Sequence, residues 1–255
     1  MSTQAGLSFE QAPPFSLPLQ FFLSAPLFLL AAALLVVLDP ASLASRWTPQ
    51  ALALTHALTL GFLAMAMLGA LMQMLPVVAG SPLPRLRAVA WLTQRPLALG
   101  TLALMTGFLS TESIAFGIAI VLLAIGFAVF LAAAAVSLVR ATSNVTVWGM
   151  RLAVLSLGLT FILGLTLALM RAGVWIPPAR AAALAAHLAF GLLGWVLLLV
   201  VGVAFQVVPM FQITPPYPPL LGRWLTPGLF VLLLIHAVAP GLPPRAGVLV
   251  EAGFV

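Results

Sequence analysis

Apolar runs about as long as a bilayer is thick, parted by short polar breaks, constrain this chain more than any other feature. A stretch of about 20 uncharged residues reads as a helix crossing a hydrocarbon core of about 30 Å, and the 255 residues hold several. Hydrophobic residues make up 64% of the chain and charged ones 5%, with a mean hydropathy of +1.24, values foreign to soluble domains. A transmembrane barrel would show alternation over segments of about 10 residues, and none is present. The fold class is therefore all-α: a polytopic transmembrane helical bundle of about seven or eight helices.

The polar residues narrow the function classes. Ten arginines, with no lysine, stand against four acids. They are spread along the chain as interfacial anchors and topology signals, without the contiguous basic patch that nucleic-acid binding needs. The absence of cysteine excludes disulfides, thiolate ligands and a cysteine nucleophile. Residues 1–17 form a polar, proline-containing tail without a basic n-region, so they do not resemble a signal peptide.

Spans are expected at about 18–38, 50–78, 96–110, 114–139, 151–170, 181–210 and 224–240. An eighth, from near Gly247 to Val255, is too short to cross at about 1.5 Å per residue, so the natural polypeptide is expected to continue. The stretch holding Pro82, Pro84, Arg85, Arg87 and Arg95 reads as a loop. The segment QITPPYPPLLGR reads as extended and stiff, and Thr111-Glu112-Ser113 as a helix N-cap region.

Two helices share the pattern Gly-x-x-x-Gln-x-x-Pro, at Gly69/Gln73/Pro76 and at Gly202/Gln206/Pro209. The offset of 133 residues from Gln73 to Gln206 carries the first three spans onto the fifth, sixth and seventh. The economical organisation is a tail (1–17), a first four-helix membrane unit (18–140) and a similar second unit (151–255), incomplete at residue 255. Alternating the loops puts Arg85, Arg87, Arg95, Arg140, Arg151 and Arg223 on the side of the N-terminus, which argues for a cytoplasmic N-terminus.

The three histidines follow from this topology. His56 and His187 fall about two turns inside the outer ends of the second and sixth spans, and His236 about one turn inside that of the seventh. Ionisable groups at such a depth are functional-site candidates, and neutral imidazole is the commonest metal ligand. The alternative is a hydrogen bond to a neighbouring helix. On an ideal α-helix His187 shares its face with Gly191 and Gly194, a smooth groove for a flat macrocycle or else a close helix contact. His56 shares its face with Met67 and Met74, packing residues or soft ligands. His56 stands 17 residues before its glutamine and His187 19 before its own, a difference of about 200° of helix. The two are equivalent only if one helix carries a bulge. Gln73 and Gln206 are expected to bond backbone freed by Pro76 and Pro209. No paired carboxylates, Ser/His/Asp set or phosphate-binding glycine loop is visible, so no catalytic residue is assigned.

Helices in four-helix units, with histidines near the outer ends of the second, sixth and seventh, resemble the catalytic subunit of the heme-copper oxidase superfamily. That superfamily includes the nitric oxide reductases and a smaller heme-and-copper membrane family linked to nitric oxide stress, whose second-helix region the segment THALTLGF resembles. The resemblance implies His56 as a heme ligand, His187 as a ligand of heme, copper or another metal, and His236 as a further metal ligand. The chain departs from the superfamily where Ala237 follows His236 in place of a second histidine, and where LAFGLL follows His187. These departures remove oxygen reduction from what the resemblance implies.

The expected function is that of an integral membrane protein binding heme and also copper. It would act in electron transfer, nitric oxide handling or metallocentre assembly in a bacterial inner membrane, with the lipid bilayer, respiratory subunits or further copies of itself as partners. Two alternatives compete. One is a small permease with its site near Gln73 and Gln206. The other is a non-catalytic subunit of a larger respiratory complex.

Overall fold

The computed structural model describes residues 9–176 and 179–238. Among them are no strands and seven long helices: α1 (Ser16–Leu38), α2 (Pro49–Val77), α3 (Leu86–Ser110), α4 (Ser113–Arg140), α5 (Val145–Arg171), α6 (Arg180–Gln212) and α7 (Pro219–Val238). All but α3 are long and apolar enough to cross a membrane. Outward-facing stripes such as Leu23, Leu27, Leu30 and Leu34 on α1, and Ile114, Ile118, Val121 and Ile125 on α4, are exposed at helical spacing. That is the surface of a helix set in lipid. The protein is a multi-pass helical membrane protein. The eighth span lies outside the described residues.

Several helices start earlier than their composition suggests, each for a local reason. α5 begins at Val145 because the Asn144 Oδ1 accepts the Val147 N–H at 2.8 Å, an N-cap hidden in a polar loop. α7 begins on Pro219, leaving only Thr214–Pro218 extended, since proline suits a first helical position where no N–H is needed. α3 begins at Leu86 and runs straight through Pro96, so Arg87 and Arg95 are helical and not in a loop. Packing supports that proline: a Cβ on Gly126 would lie 3.2 Å from the Thr93 carbonyl oxygen and 3.3 Å from the Leu97 nitrogen. The glycine lets the α4 backbone close directly on the interrupted turn of α3. The break between α3 and α4 is confined to Thr111-Glu112, with Thr111 at φ +61°.

The chain divides into two compact units, Met1–Arg140 with Ala168–Trp175, and Ala141–Leu167 with Ile176–Val255. In the first, α1 lies along α2, the early part of α2 packs on α3, and α3 and α4 share the most extensive contact. The α1–α2 seam is made by two phenylalanines entering glycine gaps. Phe28 fills the space where Gly61 would carry a side chain, and Phe21 lies so that a Cβ on Gly69 would be 2.8 Å from its own. Phe21 is fully buried. A polar tie joins α1 to α3: Gln94 Nε2 donates to Ser24 Oγ at 2.6 Å, and Ser24 Oγ donates within α1 to the Gln20 carbonyl at 2.7 Å. Ser81 and Ser137, both buried, exchange hydroxyl-to-carbonyl bonds that pin the chain after α2 to the end of α4.

The second unit repeats this plan. α5 meets α6 backbone to backbone, since a Cβ on Gly202 would lie 2.8 Å from the Gly149 Cα. The first half of α6 packs on α7. The starts of α3 and α7, Leu86 and Pro219, are 133 residues apart, as are the ends of α1 and α5, Leu38 and Arg171. Buried Thr93 and Thr226 stand at that offset too, and neither hydroxyl has a hydrogen-bond partner among the described residues. Tryptophan rings at helix ends carry arginines, with guanidinium-to-ring distances of 4.7 Å for Arg46–Trp47, 3.4 Å for Arg95–Trp91, 5.4 Å for Arg151–Trp148 and 5.3 Å for Arg223–Trp224. Such pairs are interfacial anchors.

Two predictions follow from this packing. Gly61→Ala forces Phe28 out of its seat and should lower stability by about 1–3 kcal/mol, read as a lower thermal midpoint in detergent. Thr93→Val and Thr226→Val remove unbonded hydroxyls and should be neutral or stabilising in the same assay, whereas a fall above about 2 kcal/mol would show that the hydroxyls are satisfied.

Candidate functional site

The second helix of each unit is not α-helical throughout. Residues Ala57–Ala64 of α2 and Phe190–Leu197 of α6 are wound as π-helix. The two segments are equal in length and stand 133 residues apart, the offset of the whole repeat. π-Helical stretches are rare and concentrate at functional sites. Each follows directly on a short α-helical segment bearing a histidine: His56 ends Pro49–His56, and His187 lies in Arg180–Ala189. Both histidines are the eighth residue of their helix.

The winding settles the question of equivalence. A bulge in one helix alone would have brought the two histidines into register. Both helices carry the π segment at the same place, so the displacement of two residues remains. On the repeat His56 falls opposite Ala189, and His187 opposite Leu54. The rings accordingly leave their helices differently. His56 Nδ1 lies 2.8 Å from the Leu52 carbonyl oxygen one turn back on its own helix, and His187 Nδ1 lies 3.0 Å from the Thr160 carbonyl oxygen on α5.

These bonds have the same chemical consequence. A carbonyl only accepts, so in each neutral imidazole Nδ1 carries the hydrogen and donates it, and Nε2 holds the lone pair. A backbone carbonyl holding one ring nitrogen is the arrangement that orients and tautomerises a metal-ligating histidine. The His187–Thr160 bond is also the interhelical tie that stood as the alternative to ligation. It occupies Nδ1 alone.

The surroundings differ as well. His56 is half-buried and packs on Phe108, with ring centroids 5.1 Å apart and tilted by 32°. Phe108 meets Phe116 edge-on at 5.3 Å, and the Arg171 guanidinium lies 6.0 Å from the Phe108 ring. His187 is half-buried against α5, where a Cβ on Gly164 would come within 2.9 Å of its Cε1. The buried indole Nε1 of Trp195, within the second π segment, has no hydrogen-bond partner among the described residues.

Three sequence expectations are changed. Gly191 and Gly194 do not form an open groove beside His187. A Cβ on Gly191 would lie 3.3 Å from Thr160 Cγ2, and one on Gly194 2.6 Å from Ser156 Cβ, so α5 fills that face and the glycines serve close helix packing. The face shared by His56 with Met67 and Met74 assumed α-helical rotation throughout, and the π segment between them changes it. Neither Gln73 nor Gln206 hydrogen-bonds the backbone freed by Pro76 or Pro209 among the described residues; Pro76 is buried and Pro209 half-buried.

His236 lies on α7, two residues before its last described position, and α7 packs on the segment of α6 that bears His187. Among the described residues no group of three or more His, Asp or Glu side chains is placed to hold a metal ion. A heme would bring ring nitrogens of its own and would need few protein donors, so His56 and His187 are the residues that would hold it. Copper would need more donors than these residues gather.

In the protein without cofactor, nitrogen-15 spectra of the histidine side chains should show protonated Nδ1 and unprotonated Nε2 for both His56 and His187. The opposite tautomer at either would remove its carbonyl bond and its readiness as a ligand.

Compared with protein families, with curated proteins and with solved structures, the chain matches none.

Proposed function

We propose that this chain is an integral membrane heme-binding protein, in which His56 and His187 would be the residues that hold the group through Nε2. The observation that carries the reading is the pair of Nδ1–H bonds to backbone carbonyls, at 2.8 Å and 3.0 Å, beside twin π-helical segments. Heme, when bound, supplies one-electron chemistry at iron. The chain's own contribution is to hold the imidazoles in one tautomer and to surround them with apolar side chains. Near His56, Phe108 and Phe116 would provide that apolar wall, and Arg171, 6.0 Å from the Phe108 ring, would supply a cation for the carboxylates of the group. The role in the membrane is electron transfer, nitric oxide handling or delivery of the cofactor, in a bacterial inner membrane with the N-terminus cytoplasmic.

A second reading, a small permease, draws on Gln73 and Gln206. Both carboxamides are half-buried at equivalent positions near proline-interrupted helix ends, and both lack a hydrogen bond among the described residues. That reading predicts substrate-dependent stabilisation that survives His56→Ala and is lost in Gln73→Ala.

The deciding measurement is an absorption spectrum of protein expressed with heme available. A Soret band that shifts on reduction is expected, with its intensity or position changed in His56→Ala and in His187→Ala and unchanged in His236→Ala. Colourless protein, or a band indifferent to both substitutions, refutes heme ligation by these residues.

A further inference from the structure

The first unit carries a feature unrelated to the histidines. Two open apolar grooves flank the start of α3 and meet at Arg85 and Ala88. One, of about 510 Å³, is bounded by Pro14 and Leu17 and by Arg85, Leu86, Arg87 and Ala88. The other, of about 380 Å³, runs between α3 and α4 past Ala88, Leu92, Val129, Ala132 and Val136. We propose that this double groove binds one anionic diacyl phospholipid, its phosphate on Arg85 and Arg87 and its two chains in the two grooves.

The charge is placed for that ligand. Arg85 and Arg87 are exposed, and among the described residues neither makes an ion pair or a hydrogen bond through its side chain. Arg95, one helical stretch further in, is already stacked on Trp91 at 3.4 Å. Arg85 occupies the N-cap position of α3 and offers no side-chain cap, so the positive end of a 25-residue helix faces the same spot. The acid nearest this end of the unit is Glu10, in the short turn Phe9–Gln11. Arg85, Arg87, Arg95 and Arg140 outweigh it.

The depth of the second groove decides between a lipid and a small anion. Leu92 lies six residues beyond Leu86, about 9 Å into the helix, and Val129 lies eleven residues before Arg140, about 16 Å from that end. An open groove of alanine, valine and leucine at that depth has nothing to offer phosphate in water. It matches the upper part of an acyl chain whose headgroup stays at the helix ends.

The test is native mass spectrometry of the full chain in neutral detergent. It would be titrated with dioleoyl phosphatidylglycerol, with dioleoyl phosphatidylcholine, and with inorganic phosphate as competitor. The expected result is preferential binding of phosphatidylglycerol, weakened about fivefold by Arg85→Gln or Arg87→Gln and about 25-fold by both. Arg87→Lys should keep most of it. Arg140→Gln, at the same end but outside the grooves, should leave it unchanged. Ala88→Trp, an exposed position common to both grooves, should abolish it while helicity by circular dichroism is retained. Equal binding of the two lipids, an unaltered affinity in the double variant or in folded Ala88→Trp, or displacement of lipid by inorganic phosphate would each overturn the proposal.

Discussion

Everything in this bundle depends on how closely the first helix of each unit can approach the second. Within a membrane no hydrophobic force drives one apolar helix onto another, so association rests on van der Waals contact and on the few hydrogen bonds between helices. The glycines supply the contact. Gly61 and Gly69 receive the rings of Phe28 and Phe21, while Gly194 and Gly202 meet Ser156 and Gly149 with no ring between them. The same two repeat positions are used in both units, once to seat bulky side chains and once to bring backbones together. Removal of a single Cβ is what makes each solution possible.

The π winding sits on that same contact. Gly61 and Gly194 are inside the π segments, at matching places. A π turn widens the helix and moves its carbonyls, and it persists only where tertiary packing compensates. A ring pressed into Gly61, or Ser156 pressed onto Gly194, is packing of that kind. Upstream of each segment the helix is α-helical and carries its histidine, so the imidazole is presented from a regular turn next to an irregular one. The seam that assembles the unit therefore also fixes where the histidine stands.

Much of the fold is legible in the residues, because long apolar runs leave a chain few alternatives and the expected span ends mostly fall within a few residues of α1, α2, α4 and α6. What eluded the sequence has local causes. The third span is expected to begin only at Pro96, but Gly126 on another helix lets α3 run through that proline from Leu86, and that is a tertiary fact. Asn144 was a readable signal, an N-cap residue three before the amide it accepts from, obscured by the polar loop around it. The buried exchange between Ser81 and Ser137 links residues 56 apart and leaves no periodic trace. The π segments are likewise invisible to a search for periodicity, since both are apolar but for Thr59 and an extra residue in the turn changes no composition.

The same blindness shaped the reading of the histidines. The two-residue mismatch against the Gln-Pro motif was plain in the sequence, and a bulge in one helix was the natural way to cancel it. The repeat placed the bulge in both, so the mismatch persists and the two imidazoles are different kinds of group. One is tied within its own helix and rests against Phe108, while the other reaches across to Thr160. Both nonetheless set Nδ1 on a backbone carbonyl, so the two positions share a tautomer while the rings leave their helices in different directions.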